Sequence, residues 1–187
     1  MNKFTYNVID SFKTVNGKSI DGIIGLDILA ASGKIQIGIP KENLTAKIIL
    51  GNFESKKTFS NTLPFTISQG HIFINGTAEG SDIQFILDTG SPFNFLTKQF
   101  SDAEKIPVKR YINVFGADGN EIVTHKGIIK EMSLSSQIFI NSEFLFTDSK
   151  LFQRYGLSSN GGIIGTEFLK NFEMLEIDFD NKQIVLN

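Results

Sequence analysis

The chain reads Phe85-Ile86-Leu87-Asp88-Thr89-Gly90-Ser91 near its centre, an apolar strand that runs directly into an acidic turn. A carboxylate at the end of a buried strand is costly to ionise unless the protein uses it. Gly90 lets the backbone turn sharply, and the hydroxyls of Thr89 and Ser91 can hydrogen-bond the turn or a symmetry-related copy of it. The pattern predicts a functional carboxylate at Asp88, and its alternative is a structural Asx turn at a strand end.

A second motif lies downstream, where the chain reads Gly162-Ile163-Ile164-Gly165-Thr166-Glu167-Phe168-Leu169. An apolar pair followed by glycine opens into a short helical segment, and strands are predicted after it over 174–179 and 183–186. A single Asp-Thr-Gly triplet is weak evidence, because turns are rich in these residues. The two motifs in this order, each in a strand context, form a specific signal.

Together the motifs resemble the retropepsin-like (bacterial-type) aspartic peptidase family, in which a late Ile-Ile-Gly strand crosses beneath the Asp-Thr-Gly loop. The resemblance covers residues 63–187. The implied fold is all-β, an acid-protease barrel with one or two short helices; many short strands and frequent glycine turns favour the same closed β-barrel. The site residues that the resemblance implies are the catalytic Asp88, the active-site loop residues Thr89, Gly90 and Ser91, and the loop-supporting residues Ile163, Ile164 and Gly165.

The chemistry expected of such a site is peptide hydrolysis by two carboxyls that share one water. Two carboxyls about 3 Å apart cannot both ionise, so one takes the water proton while the other polarises the scissile carbonyl. The sequence has one Asp-Thr-Gly triplet, at Asp88. The resemblance implies that a second subunit or lobe supplies the other carboxyl across a two-fold axis, with Thr89 hydroxyls linking the paired loops. No cofactor or metal is expected, and the partner is a peptide or protein substrate.

Two other readings of the chain stay open. The second Asp can lie in a missing lobe, so that this chain is a catalytically incomplete fragment, or the chain can bind peptides without turnover.

His71 and His125 are too isolated in the sequence for a metal site with the available carboxylates.

A peptidase of this type also needs a cover over its cleft, which this family places between the two motifs. The sequence over 111–123 alternates around a glycine-rich turn, which predicts a β-hairpin. We expect the flap and substrate-binding residues to be Phe115, Gly116, Ala117, Asp118 and Gly119. A plain surface hairpin is an equally good interpretation of this pattern.

An internal repeat relates the two ends of the chain. The run at Gly22-Ile23-Ile24-Gly25 recurs 140 residues later at Gly162-Ile163-Ile164-Gly165, and the alternating strand that follows it recurs at the same offset. Residues 1–50 are therefore expected to be the back half of a preceding unit whose front half, with its Asp-Thr-Gly loop, is missing. A polar linker over 51–62 and a complete unit over 63–187 follow.

Half a barrel cannot bury both faces of its strands, so residues 1–50 are expected either to pack on the complete unit or to stay disordered. Packing is favoured, because Ile35, Ile37 and Ile39 alternate like an edge strand. In the packed arrangement the segment would occupy the place of a partner lobe and block pairing of two copies.

Composition narrows the function classes. The formal charge of −2 leaves no electrostatic footprint for nucleic acid, and no apolar run is long enough to span a bilayer. Cysteine is absent, which excludes disulfides and thiolate metal sites. The first residues lack the apolar core of a secretion signal, so a cytoplasmic location is expected for the chain as written, although a longer gene product could be exported.

Overall fold

The computed structural model describes residues 14–15, 18–19, 24–39, 47–51, 53, 62–111, 113–116, 120–153, 155–157 and 160–187. In this part of the chain the helices are α1 Leu26–Ala30, α2 Lys98–Ala103, α3 Lys150–Gln153 and α4 Thr166–Leu169. The strands are β1 Thr14–Val15, β2 Lys18–Ser19, β3 Lys34–Gly38, β4 Ile48–Leu50, β5 Thr62–Pro64, β6 Thr66–Ser68, β7 His71–Ala78, β8 Ser81–Leu87, β9 Phe95–Thr97, β10 Lys109–Arg110, β11 Val114–Phe115, β12 Glu121–Ile122, β13 His125–Leu134, β14 Gln137–Thr147, β15 Gly161–Ile164, β16 Met174–Asp178 and β17 Gln183–Leu186.

Six of these strands close into a barrel in the order β7-β8-β15-β9-β14-β13, and β13 pairs back onto β7. Gly76 permits this closure, because a Cβ at that position would overlap the carbonyl oxygen of Ser133 on β13. The barrel interior is filled largely by phenylalanine, which is abundant in a chain without tryptophan. Fully buried examples are Phe85, Phe144 and Phe146.

A second sheet joins the two ends of the chain. Its strand order is β4-β3-β16-β17-β5, so that strands of the N-terminal segment pair with the C-terminal hairpin. β3 runs antiparallel to β16, with Gln36 opposite Glu176, Ile35 opposite Ile177 and Ile37 opposite Leu175. The repeat relates Gln36 to Glu176, and the two copies of the repeated strand therefore pair about a local two-fold axis at that residue pair.

The all-β, closed-barrel prediction is confirmed. The described part of the chain carries four short helices where one or two were expected. The segment around β3 packs against the complete unit, which is the alternative that the sequence favoured. None of the helices in the described ranges has the length and apolar character needed to cross a membrane. The domain boundaries at 50 and 62 stay predictions, since most of 51–62 lies outside the described residues.

Candidate active site

Asp88 follows β8 at the rim of the barrel, where the parallel pairing of β8 with β15 ends. Ile164 is the register partner of Leu87, and the backbone N–H of Asp88 donates to the Ile164 carbonyl oxygen at 3.0 Å. The Ile163-Ile164 strand is fully buried and supports the start of the loop from within the barrel. The structure therefore places the two motifs side by side at the barrel rim.

The loop itself is a tight turn around the Asp88 carboxylate. Gly90 N–H donates to Asp88 Oδ1 at 2.8 Å, and Ser91 N–H donates to the Asp88 carbonyl oxygen at 3.2 Å. Asp88 as a residue is half-buried, Thr89 and Gly90 are exposed, and Ser91 is buried with its hydroxyl donating to the Phe93 carbonyl oxygen at 2.7 Å. The Asx-type bond from Gly90 N–H orients the Asp88 carboxylate. Both the catalytic and the structural interpretation of Asp88 require such a bond.

The far side of the loop is held by Gly165 and Thr166. Thr166 N–H donates to the Ser91 carbonyl oxygen at 2.8 Å, and its hydroxyl reaches the same oxygen at 3.2 Å. Gly165 N–H donates to Oδ1 of the buried Asn94 at 3.0 Å, and Asn94 Nδ2 donates to the Glu143 carbonyl oxygen at 3.0 Å. The Asp88 loop is thereby fixed to the Gly165-Thr166 end of the second motif and, through Asn94, to β14.

Sequence reasoning missed Asn94 and Tyr155. Asn94 stands among phenylalanines, and a polar residue inside an apolar run is the signal that would have pointed to a buried hydrogen-bonding role. Tyr155 follows α3 in a stretch with no motif, and its ring packs edge-on against His71 with centroids 5.0 Å apart. No sequence pattern places Tyr155 near Asp88.

Replacing Gly165 by alanine is expected to displace the active-site loop. A Cβ at Gly165 would lie 2.6 Å from the Ser91 carbonyl oxygen and would also overlap that of Phe93. Overpacking of this kind costs about 1–3 kcal/mol, or a melting-temperature loss of roughly 2–12 °C for a chain of this size. Gly38→Ala is the matched control, because a Cβ there meets its nearest atom at an ordinary 3.6 Å. Equal melting temperatures for both variants in a thermal denaturation would contradict the close packing described here.

A cavity of about 270 Å³ opens beside Asp88 and is lined from two sides. The barrel contributes Asp88, Thr89, His71 and Tyr155. The N-terminal segment contributes Ile24, Leu26, Leu29, Ile35 and Ile37. The space in front of the Asp88 loop is thus bounded by the very segment that the repeat relates to the loop-supporting motif.

The expected flap region forms a hairpin. Phe115 pairs with Glu121 and Val114 with Ile122, and Gly116 N–H donates to the Asn120 carbonyl oxygen at 2.9 Å. Phe115 is 73% exposed. Ala117, Asp118 and Gly119 lie outside the described residues.

A second cavity of about 490 Å³ lies between this hairpin and α3, lined among others by Gly116, Ile122, Leu151 and Tyr155. Tyr155 lines both cavities, so the cavity beside the hairpin adjoins the one beside Asp88. In the described ranges no group of three or more His, Cys, Asp or Glu side chains could hold a metal ion.

The fold and the clamped acid loop together define an aspartic-peptidase type of protein. An aspartyl protease family model matches residues 74–168, just over half of the chain, and the chain belongs to that family. The matched region contains both the Asp88 loop and the Ile163-Ile164-Gly165 strand.

The solved structures that are similar to this chain include the following two. One is a retropepsin-like aspartic protease from Rickettsia conorii, at 18% identity over 68% of this chain and 89% of that one, with a TM-score of 0.49. The other is conglutin gamma, a basic 7S globulin from lupine seeds, at 13% identity over 83% of this chain and 51% of that one, with a TM-score of 0.45. No curated protein matches the sequence.

Proposed function

We propose that the chain is an aspartic endopeptidase unit that hydrolyses peptide bonds with a water held between Asp88 and a second Asp carboxyl. The observation that carries the proposal is Asp88 at the edge of a cavity, with its carboxylate oriented by the Gly90 N–H and its backbone N–H bonded to Ile164. Membership of the aspartyl protease family supports the same reaction.

In this mechanism the two carboxyls share one proton. The ionised member removes a proton from the water, which attacks the scissile carbonyl carbon, and the protonated member donates to the carbonyl oxygen as it becomes tetrahedral. Collapse of that intermediate, with a proton passed to the leaving amine, completes the hydrolysis. The loop bonds at Asp88 contribute preorganised geometry, because the carboxylate does not have to reorient when substrate binds.

The peptide would lie in a groove that runs past Tyr155 from the cavity beside Asp88 to the cavity beside the Val114–Phe115 and Glu121–Ile122 hairpin. The exposed Phe115 offers an apolar contact, and the hairpin backbone offers hydrogen bonds to an extended substrate. Closure of the hairpin over the groove would exclude water from the carboxyl pair.

The second carboxyl belongs to another subunit or another lobe. Specific activity that rises with protein concentration would indicate a second copy, because a monomer then lacks one acid. The position of Ile24 and Leu26 across the cavity from Asp88 favours a lobe that packs on the N-terminal segment.

The decisive test combines a cleavage assay with an inhibitor. Hydrolysis of a mixed peptide library should be blocked by a statine-type transition-state mimic, because its hydroxyl takes the place of the shared water between the carboxyls. A chelator and serine- or thiol-directed reagents should leave the rate unchanged. Cleavage that survives the mimic but not the chelator would exclude the proposal.

The second candidate function is peptide binding without turnover. It is favoured by the single Asp-Thr-Gly triplet and by the occupied edge of β16. This candidate predicts that the chain alone binds the mimic in calorimetry yet cleaves nothing at any concentration. Absence of both binding and cleavage would exclude both functions for the chain alone.

A further inference from the structure

The junction between β3 and β16 has one polar face. On this face the cationic and amide side chains of β3 lie opposite the carboxylates of β16. Lys34 Nζ lies 3.0 Å from Asp178 Oδ2, and Gln36 Nε2 donates to Glu176 Oε2 at 3.4 Å. Both carboxylates are buried, with Glu176 3% and Asp178 8% exposed. Buried carboxylates require partners, and β3 supplies two of them.

Titration of the ion pair reflects this match. Burial raises the pKa of Asp178, but hydrogen bonds from Asn181 and the Lys34 ammonium together lower it below its ordinary value of 3.8. The hydrogen bond to Asp178 is the main cause that raises the pKa of Lys34 above 10.5, and the Glu176 and Asp180 charges add to it. The ion pair therefore stabilises the fold at any pH between the ordinary pKa values of the two groups. This stabilisation is lost as the pH falls through the lowered pKa of Asp178 or rises through the raised pKa of Lys34.

A second copy of the chain would present a different face to β16. The repeat relates Lys34 to Met174 and Gln36 to Glu176. If β16 of a second copy took the place of β3 in the same register, Glu176 would lie opposite Glu176 of the second copy, and Asp178 would lie opposite Met174. Directly opposed like charges destabilise a strand pair, and each Asp178 would lose its cation.

The apolar face of the junction does not distinguish the two partners. Ile35 and Ile37 of β3 correspond to Leu175 and Ile177 of β16, so hydrophobic burial would be similar in either pairing. The choice between β3 and β16 of a second copy therefore depends on the polar face alone. The second copy is disfavoured because it lacks the cation that pairs with Asp178 and because its Glu176 repels the other Glu176.

We propose that Lys34 and Gln36 are partner-selecting residues, which make β16 pair with the unlike N-terminal strand and reject β16 of a second copy. This next step rests on the proposed function: the second catalytic carboxyl then arrives with a lobe that packs on β3 and β4, and not by self-association. The selection itself is independent of catalysis, and the experiment below measures stability and assembly, so it can fail or succeed whether or not the chain cleaves peptides.

The test is a charge-exchange cycle in the full chain, followed by thermal denaturation. Gln36→Glu recreates the opposed carboxylates and is expected to lower the melting temperature by roughly 5–10 °C. Glu176→Gln replaces the amide–carboxylate pair by an amide–amide pair and should change the melting temperature by no more than about 2 °C, and adding it to Gln36→Glu should restore the loss. Gln99→Glu, at an exposed position on α2, is the matched control for an added charge.

Two results would overturn the proposal. One is a double variant no more stable than Gln36→Glu alone, since the loss would then not arise from the opposed carboxylates. The other is a wild-type chain that sediments as a dimer with its β3 segment released to protease, since β16 would then prefer its own copy. A monomeric wild-type chain with rescue by the exchange supports partner selection, because rescue shows that residues 36 and 176 are coupled across the junction and the monomer shows that β16 does not take a second copy.

Discussion

Asp88→Asn is expected to reduce peptide cleavage by a factor of about a thousand or more, with the fold unchanged. The substitution is nearly isosteric, and the amide oxygen can still accept the Gly90 N–H that now reaches Oδ1. It removes the carboxylate that must alternate between proton acceptor and donor. The measurement is the rate of hydrolysis of the peptide library by purified variants, with circular dichroism and melting temperature as checks on the fold.

Asp82→Asn is the matched control, because Asp82 is an exposed aspartate on the same strand, β8, at its opposite end. It should retain the wild-type rate. Where the chain alone does not turn over substrate, affinity for the statine-type mimic is compared instead, and Asp88→Asn should weaken it while Asp82→Asn does not. An Asp88→Asn variant with wild-type cleavage or affinity would show that Asp88 is only an Asx-turn residue.

The Asp88 loop and its support were predictable because each depends on local chemistry. A strand that ends in Asp-Thr-Gly dictates a turn, and an Ile-Ile-Gly strand before a short helix dictates a buried partner for it. The structure joins the two through the Asp88 N–H to Ile164 bond. The catalytic role of the residues named from sequence stays a prediction, which the Asp88 variants test.

The tertiary partners of the loop could not be predicted in the same way. Asn94 reaches Gly165 across 71 residues of sequence, and Gln36 reaches Glu176 across 140. Such contacts depend on barrel closure and strand register, which local propensity does not encode. The repeat did predict that β3 resembles β16, but it did not predict that the two strands pair with each other.

The flap illustrates a different limit. Alternation and the Asp118-Gly119 dipeptide predicted a hairpin, and the paired strands Val114–Phe115 and Glu121–Ile122 confirm one. Whether a hairpin closes over substrate depends on its freedom to move relative to the groove, which neither sequence pattern nor pairing determines. Tyr155 lines both the cavity beside the hairpin and the cavity beside Asp88, so the hairpin lies near the acid loop.

Removal of residues 1–50 is expected to lower both solubility and melting temperature. Deletion exposes the edge of β16, and it uncovers the apolar side chains of Leu175 and Ile177 that now face Ile35 and Ile37. An exposed hydrophobic strand edge is a template for aggregation. Loss of even two buried isoleucine-sized contacts costs about 3–6 kcal/mol, or roughly 6–24 °C in melting temperature for a chain of this size.

A point substitution tests the same docking without deletion. Ile35 is 1% exposed at the β16 junction, whereas Ile48 on the neighbouring β4 is 52% exposed. Ile35→Ala should cost about 2–5 kcal/mol because it leaves a cavity, and Ile48→Ala should cost less than about 1 kcal/mol because its side chain is already half in water. Denaturant unfolding of the two variants measures the difference. A deletion variant that is more soluble and melts higher than the full chain, together with equal costs for the two alanine variants, would show that the N-terminal segment is an unpaired remnant and that β16 does not need it.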